Sequence, residues 1–178
     1  MTLRARGTSV GRPFPVMGYV RRTSGDVDVA LYMWETGKPE PTEPVVTVPA
    51  EDIGGMAMFA ATLPGSRHNV LVTAEVGALS DDSLPGADQI IVKVRAKTRL
   101  SVTRAGSRLV LKARVTPADT QGSVAFQRLV RGRWVAAGSA AVKAGVASVR
   151  TGAASKIRAR FTGGSLNAAS AWTTVVVK

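Results

Sequence analysis

Few side chains in this sequence have the types and spacing that catalysis needs. The chain has one histidine, His68, and no cysteine, so it holds neither a thiolate metal site nor a cysteine nucleophile. A metal site would need further ligands at short spacing beside His68, and none is near. We interpret His68 as an exposed loop residue and expect a protein that is not an enzyme, with no cofactor and no metal.

Acidic residues cluster at two places that could in principle bind calcium. Asp26 and Asp28 flank the start of one predicted strand, and Asp81, Asp82 and Asp88 belong to a loop. Calcium needs several converging oxygen ligands. Solvated turn carboxylates are the simpler interpretation. Catalysis by a pair of these carboxylates would need a shaped cleft, and nothing in the pattern indicates one.

The residues with the most suggestive spacing are basic. In the segment KIRARF, apolar and basic residues alternate, which predicts a strand whose basic side chains point outwards in a row about 7 Å apart. A hairpin tip with the sequence VRGRW carries two more arginines and is expected at the end of the same sheet. The predicted basic face therefore consists of Arg131, Arg133, Lys156, Arg158 and Arg160.

The charge of the chain is divided unevenly between its two halves. Residues 1–95 contain 9 Lys and Arg and 11 Asp and Glu, whereas residues 96–178 contain 15 Lys and Arg and one acid, Asp119. The halves therefore carry formal charges of −2 and +14. Such asymmetry indicates either that the two halves face different partners or that the second half contacts an acidic surface. Nucleic acid is the disfavoured choice, since single-strand binding needs exposed aromatic rings and we assign Phe126, Phe161 and Trp172 to the core, leaving only Trp134.

The elements that must position these residues are short strands separated by turns. Strands are predicted in the first half at 16–21, 27–34, 45–48, 56–63, 69–76 and 89–95. Strands are predicted in the second half at 98–104, 108–116, 123–130, 134–143, 146–151, 156–161 and 171–178. Short strands at spacings of about 8–12 residues are typical of an immunoglobulin-like sandwich. We predict an all-β protein of two tandem immunoglobulin-like β-sandwiches, residues 1–95 and 96–178.

Two stretches share one outline, which supports the tandem arrangement. The stretch from Gly25 and the stretch from Gly122 each run from a glycine through an alternating strand to a tryptophan, Trp34 or Trp134. Matching the two glycines gives an offset of 97 residues.

The second half resembles the immunoglobulin-like repeats of actinobacterial and actinophage proteins. The segments that carry the resemblance are LVLKARVTPA, GSVAFQRLVRGRWVAAGSAAV, GVASVRT, KIRARFTGG and SAWTTVVV, within residues 98–178. The first half matches in outline only, because its proline-rich loop and acidic insert depart from the pattern. The resemblance implies the sandwich fold, which hosts many functions.

Together these features favour a multi-copy phage virion protein, a capsid decoration or tail component that docks on an acidic protein lattice. The alternative is a cell-surface adhesive or carbohydrate-binding module of an actinobacterium that contacts an anionic wall polymer. The first residues, MTLRARGTSVGRPFP, contain no apolar segment after their basic residues, so we expect no export by the general secretory route. No apolar run approaches the roughly 20 residues of a membrane helix, and no membrane insertion is expected.

Overall fold

The computed structural model describes residues 1–21, 27–76 and 87–177 of the chain. The regular elements in these ranges are β-strands, so the protein is all-β. The chain divides into two compact units, Met1–Val94 (unit 1) and Arg95–Lys178 (unit 2). The boundary predicted from the sequence lies one residue further along the chain.

Unit 1 contains seven principal strands, and their apolar residues pack towards a common core. They are β1 (Thr2–Ala5), β3 (Phe14–Arg21), β4 (Val27–Glu35), β5 (Val46–Asp52), β6 (Met56–Leu63), β7 (Val70–Val76) and β8 (Ala87–Val92). Two short strands, β2 (Thr8–Ser9) and β9 (Val94–Arg95), accompany them, and β9 contains the boundary between the units. The strand order is β1-β3-β6-β5-β4-β7-β8.

Strand β5 connects the two layers of unit 1. Its first part pairs with β4, with Val48 opposite Val29, and its last residues pair with β6, with Glu51 opposite Met58. The apolar residues of the strands enclose one core that includes Phe14, Leu31 and Phe59. The sequence predicted that β5 would end at Val48, with Glu51 and Asp52 in a turn. This prediction was wrong because pairing with β6 keeps both acids in the strand.

Unit 2 contains seven strands in two sheets. They are β10 (Lys97–Ala105), β11 (Arg108–Thr116), β12 (Ser123–Val130), β13 (Arg133–Ala141), β14 (Val146–Thr151), β15 (Lys156–Phe161) and β16 (Thr173–Val176). One sheet has the order β10-β11-β14 and the other has the order β13-β12-β15-β16. The buried residues of β11, including Leu111, and those of β12 and β15, including Phe126 and Phe161, form one core between the sheets. In β11 and β15 burial alternates, which leaves every second residue of these strands on an outer face.

The two units share one strand order. Numbering the seven principal strands of each unit along the chain, the order 1-2-5-4-3-6-7 describes unit 1, and 1-2-5 with 4-3-6-7 describes unit 2. This arrangement of antiparallel strands around a two-layer core is that of an immunoglobulin-like sandwich. The predicted fold class, two tandem immunoglobulin-like β-sandwiches, is therefore confirmed.

The predicted correspondence between the two stretches holds for the strands and fails for the tryptophans. At an offset of 97 residues, Val27 and Val29 of β4 match Val124 and Phe126 of β12, and all four side chains are buried. Trp34 lies within β4, however, whereas Trp134 lies in β13, after the hairpin turn. Gly25, where the first stretch begins, lies outside the described residues.

Candidate docking face

The outward side chains of β12, β13, β15 and β16 form the surface that we call the four-stranded face. In β15 the side chains of Ile157, Ala159 and Phe161 are fully buried, so Arg158 and Arg160 point outwards. Strands β12 and β15 are neighbours, with Gln127 directly opposite Arg158. The predictions that these strands share a sheet and that the basic residues of β15 point away from the core are confirmed.

Arg158 is held at the centre of this face by two tryptophans and a glutamine. Its guanidinium carbon lies 4.3 Å from the ring centre of Trp134 and 4.4 Å from that of Trp172. The Arg158 Nε and Nη2 atoms both donate hydrogen bonds to Gln127 Oε1, at 2.9 and 2.7 Å. Arg160 also lies over Trp172, at 4.8 Å. We call Trp134, Arg158, Trp172 and Arg160 the Trp-Arg stack.

The assignment of Trp172 to the core was wrong, because Trp172 is half-buried and belongs to the outer face. Thr173 lies opposite the buried residue Ala159, so the preceding residue, Trp172, points to the other side of the sheet. The last segment of the chain is apolar at both odd and even positions, so its sequence gave no signal for its orientation. Phe126 and Phe161 are buried as predicted.

The other three predicted site residues do not join the stack. Arg131 and Arg133 are exposed at the tip of the β12–β13 hairpin. Arg131 (φ 46°) and Gly132 (φ 77°) both have positive φ, and Val130 pairs with Arg133, which is the geometry of a two-residue type I′ turn. Lys156 is exposed at the start of β15. These three side chains contribute charge around the stack.

The charge of the four-stranded face has no acidic counterpart on the sheet. Unit 2 has a single carboxylate side chain, that of Asp119, which lies in the loop after β11. Cation–π contact holds the guanidinium groups in place without cancelling their charge. The face can therefore attract an anionic surface while presenting large, ordered aromatic side chains to it.

A second basic surface lies on the opposite sheet, and the sequence reasoning did not identify it. We call the outward side chains of β10, β11 and β14 the three-stranded face. Its six basic residues are Lys97, Arg99, Arg108, Lys112, Arg114 and Arg150. The alternation of β11 already indicated that three of them share a face, but the neighbours of β11 in the sheet could not be assigned from the sequence.

His68 in unit 1 is buried and bonded, so its interpretation as an exposed loop residue was wrong. His68 is only 8% exposed, and its Nδ1 atom lies 2.9 Å from Glu35 Oε2. The other carboxylate oxygen of Glu35 accepts hydrogen bonds from the Ser66 hydroxyl at 2.9 Å and from the Arg67 backbone N–H at 3.3 Å. Glu35 ends β4, so this cluster fixes the loop before β7 to the sheet.

The cluster changes the acidity of Glu35. Burial raises the pKa of this carboxyl, but the hydrogen bonds from His68, Ser66 and the Arg67 backbone together outweigh burial, and the pKa is lowered from 4.5. A lowered pKa in the folded state stabilises the fold above the unfolded pKa, and this stabilisation is lost as the pH falls through the folded pKa.

We therefore expect the Glu35→Gln variant to lose less stability than the wild type when the pH falls below 4.5. Urea unfolding at neutral pH and at several acidic values would measure this difference. Glu43→Gln is the matched control, because Glu43 is exposed in the loop between β4 and β5. Parallel pH dependence in wild type and Glu35→Gln would contradict the prediction.

The acidic residues considered for calcium are not brought together in the described ranges. Asp28 is exposed, and Asp88 accepts hydrogen bonds from the backbone N–H groups of Leu3 and Gln89. Asp26, Asp81 and Asp82 lie outside the described residues. Within the described part of the chain, no group of three or more His, Asp or Glu side chains could hold a metal ion. The described residues also include no helix of the length and apolar character that would cross a membrane.

The segment GTSVG at residues 7–11 matches the G-x-S-x-G pattern of serine hydrolases, which the sequence reasoning overlooked. In those enzymes the serine occupies a turn between a strand and a helix. Here Ser9 ends the short strand β2, its carbonyl accepts the Arg12 N–H at 2.9 Å, and no helix occurs in the described ranges. The pattern therefore lacks the structural context that gives it meaning.

No protein-family model matches this chain, and no curated protein matches it. Among solved structures, a fragment of native alpha-2-macroglobulin from Escherichia coli spanning domains MG0-NIE-MG1 is 15% identical with a TM-score of 0.31. The apo structure of Bacteroides uniformis beta-glucuronidase 3 is 14% identical, also with a TM-score of 0.31. The first comparison covers 100% of this chain and 65% of the alpha-2-macroglobulin fragment. The second covers 99% of this chain and 24% of the beta-glucuronidase chain. At such TM-scores these similarities assign no function, and the assignment of both units as immunoglobulin-like sandwiches rests on their strand order and cores.

Proposed function

We propose that this protein is a non-enzymatic virion structural protein, a capsid decoration or tail component, that docks on an acidic protein lattice through the four-stranded face of unit 2. The observation that carries the proposal is the Trp-Arg stack. Tryptophan and arginine are the residue types enriched at the energetic centres of protein interfaces. Here two of each are grouped on an open sheet face.

The fixed positions of the side chains in the Trp-Arg stack support a docking role. Binding normally costs free energy for immobilising long side chains, about 0.5–1.5 kcal/mol for each one. Arg158 is already fixed by two indole rings and by Gln127, so much of this cost is met before a partner arrives. The surrounding exposed residues Arg131, Arg133 and Lys156 add attraction over a longer range.

The virion setting rests on the resemblance of unit 2 to actinophage immunoglobulin-like repeats. A capsid or tail presents many copies of one surface, so a basic domain could decorate it in many copies. The location proposed for the protein is accordingly the virion. The virion is the place where we propose that the docking face acts, whereas the docking itself is argued from the Trp-Arg stack and the basic residues around it.

We expect mass spectrometry of purified virions from the source organism to find residues 1–178 in many copies. Purified protein should also sediment with virions at low salt and dissociate as salt rises, because exposed charges are screened beyond about 8 Å at physiological ionic strength. The exposed variant Lys156→Glu should weaken this binding, whereas Arg114→Glu on the three-stranded face should weaken it less. Protein that stays monomeric and ignores capsids and tails at low salt would overturn the proposal.

The alternative is a cell-surface adhesive or carbohydrate-binding module. What favours it is the pair of indole rings, Trp134 and Trp172, on one exposed sheet face, since flat aromatic rings can pack against sugars. Both rings already contact guanidinium groups, so a sugar would have to displace Arg158 or Arg160. Finding the chain only within a longer exported polypeptide in cell-wall fractions would favour this alternative over the virion.

A further inference from the structure

The three-stranded face of unit 2 concentrates positive charge on the outer surface of one sheet. All six of its basic residues are exposed, and no outward position of β10, β11 or β14 carries an acid. The other outward residues between them include Ser101, Thr103, Val110 and Ser148. The face therefore has neither an aromatic platform nor an acidic counter-charge.

The register of the strands brings like charges together. Arg99 of β10 is directly opposite Arg114 of β11, and Lys112 follows on the same side of β11. Like charges directly opposite each other destabilise a sheet. The buried residues Leu111, Ala113 and Val115 hold the strands in place from beneath. A polyanion lying on this face would remove the repulsion, so the arrangement favours an anionic partner.

The length and charge of the face match those of a nucleic-acid strand. Arg108 and Arg114 are six steps apart on β11, which is about 20 Å at roughly 3.3 Å per residue. One strand of a duplex has a phosphate about every 3.4 Å along the axis, so about six phosphates occupy that length. The face carries six basic side chains, three on β11 and three on the neighbouring strands β10 and β14. Folded protein surfaces commonly carry charges of both signs, whereas the backbone of a nucleic acid is uniformly negative.

We propose that the three-stranded face binds the phosphate backbone of duplex DNA without reading the bases. Phosphate contacts give affinity and orientation, whereas sequence is read from base edges in the grooves. This face consists of the strands of one sheet, and no helix that could enter a groove occurs in the described residues. The objection that nucleic acid needs exposed aromatic rings applies to single strands, and backbone contact with a duplex needs none. The inference is independent of the proposed docking function, which uses the opposite face.

Fluorescence anisotropy of a labelled duplex, titrated with the full chain over a series of salt concentrations, tests this inference. Six phosphate contacts give a slope of log K against log salt of about −5. The Arg99→Ala/Arg114→Ala variant should flatten the slope by about 2 and weaken binding at every salt concentration. The control Arg133→Ala/Lys156→Ala removes the same charge from outside the face and should leave the slope close to that of the wild type. Duplexes of different sequence should bind equally.

Three results would overturn the inference. The first is an absence of duplex binding at low salt. The second is an equal loss of slope in both double variants, which would indicate attraction by net charge alone. The third is displacement of the duplex by polyglutamate at matched charge concentration, which would indicate an acidic protein as the partner. Because all four substituted residues are exposed, circular dichroism is expected to show the same fold throughout. Virion binding by Arg99→Ala/Arg114→Ala separately reports the proposed docking function.

Discussion

Replacing Phe126 with alanine is expected to lower the free energy of unfolding of unit 2 by about 3–5 kcal/mol. Phe126 is 1% exposed and lies on β12 among the buried residues between the two sheets. Removing its ring forfeits the burial of a large apolar side chain and leaves a cavity that close-packed neighbours fill only partly. A loss of this size is a large fraction of the total free energy of unfolding of a small domain.

Urea unfolding followed by tryptophan fluorescence would measure this loss. The matched control is Val135→Ala on the adjacent strand β13, because Val135 is 38% exposed and its truncation should cost far less. Phe59→Ala is the corresponding change in the core of unit 1, where Phe59 is also 1% exposed. A cost below about 1 kcal/mol for Phe126→Ala would contradict the core described for unit 2.

Replacing Arg158 with alanine is expected to cost about 2–4 kcal/mol of folding free energy, unusually much for an outward-facing residue. The change removes cation–π contacts with two tryptophans, worth about 0.5–1 kcal/mol each at exposed sites and more when desolvated. It also removes two hydrogen bonds that share one acceptor, Gln127 Oε1, and because Arg158 is only half-buried we count them together as about 1–2 kcal/mol. Arg158→Lys keeps the charge without the planar fork, so it should recover only part of the loss.

A double-mutant cycle separates the stack from a general effect of truncation. Arg158→Ala, Trp172→Ala and the double variant should give a coupling energy of at least about 0.5 kcal/mol, as contacting residues do. Arg150→Ala is the control, because Arg150 is exposed on the other sheet and should change stability by less than about 0.5 kcal/mol. Equal costs for Arg158→Ala and Arg150→Ala would show that the stack contributes nothing.

The sequence predicted the strands of this protein best where a glycine or proline stands close to a strand end. The bounds of β6, β11, β12, β14 and β15 match those predicted from the sequence residue for residue. Strand ends were predicted less well where composition resembles that of a turn. Glu51 and Asp52 belong to β5 because β6 pairs with them, and pairing between strands cannot be read from local sequence.

The candidate site was predicted in part, for related reasons. Alternation in β15 indicated that Arg158 and Arg160 point outwards. The stack itself depends on which strands are neighbours and on their register, because Trp134, Arg158 and Trp172 belong to three separate segments of the chain. His68 was misjudged for the same reason, since its partner Glu35 is more than thirty residues away in sequence.

The different roles of the fourth strand in the two units have a consequence for solubility. In unit 1, β5 joins the two layers, so among the described strands only β1 and β8 lie at the ends of the strand order. In unit 2 the two sheets end at β10, β14, β13 and β16. Open edges can pair with other chains and seed aggregation, and charged side chains are a common protection. Three of these four strands carry arginine, as Arg99, Arg150 and Arg133 show. The positive charge of unit 2 therefore keeps the open edges of different copies apart even when no partner is bound. This repulsion weakens as the salt concentration rises, because salt screens the charges.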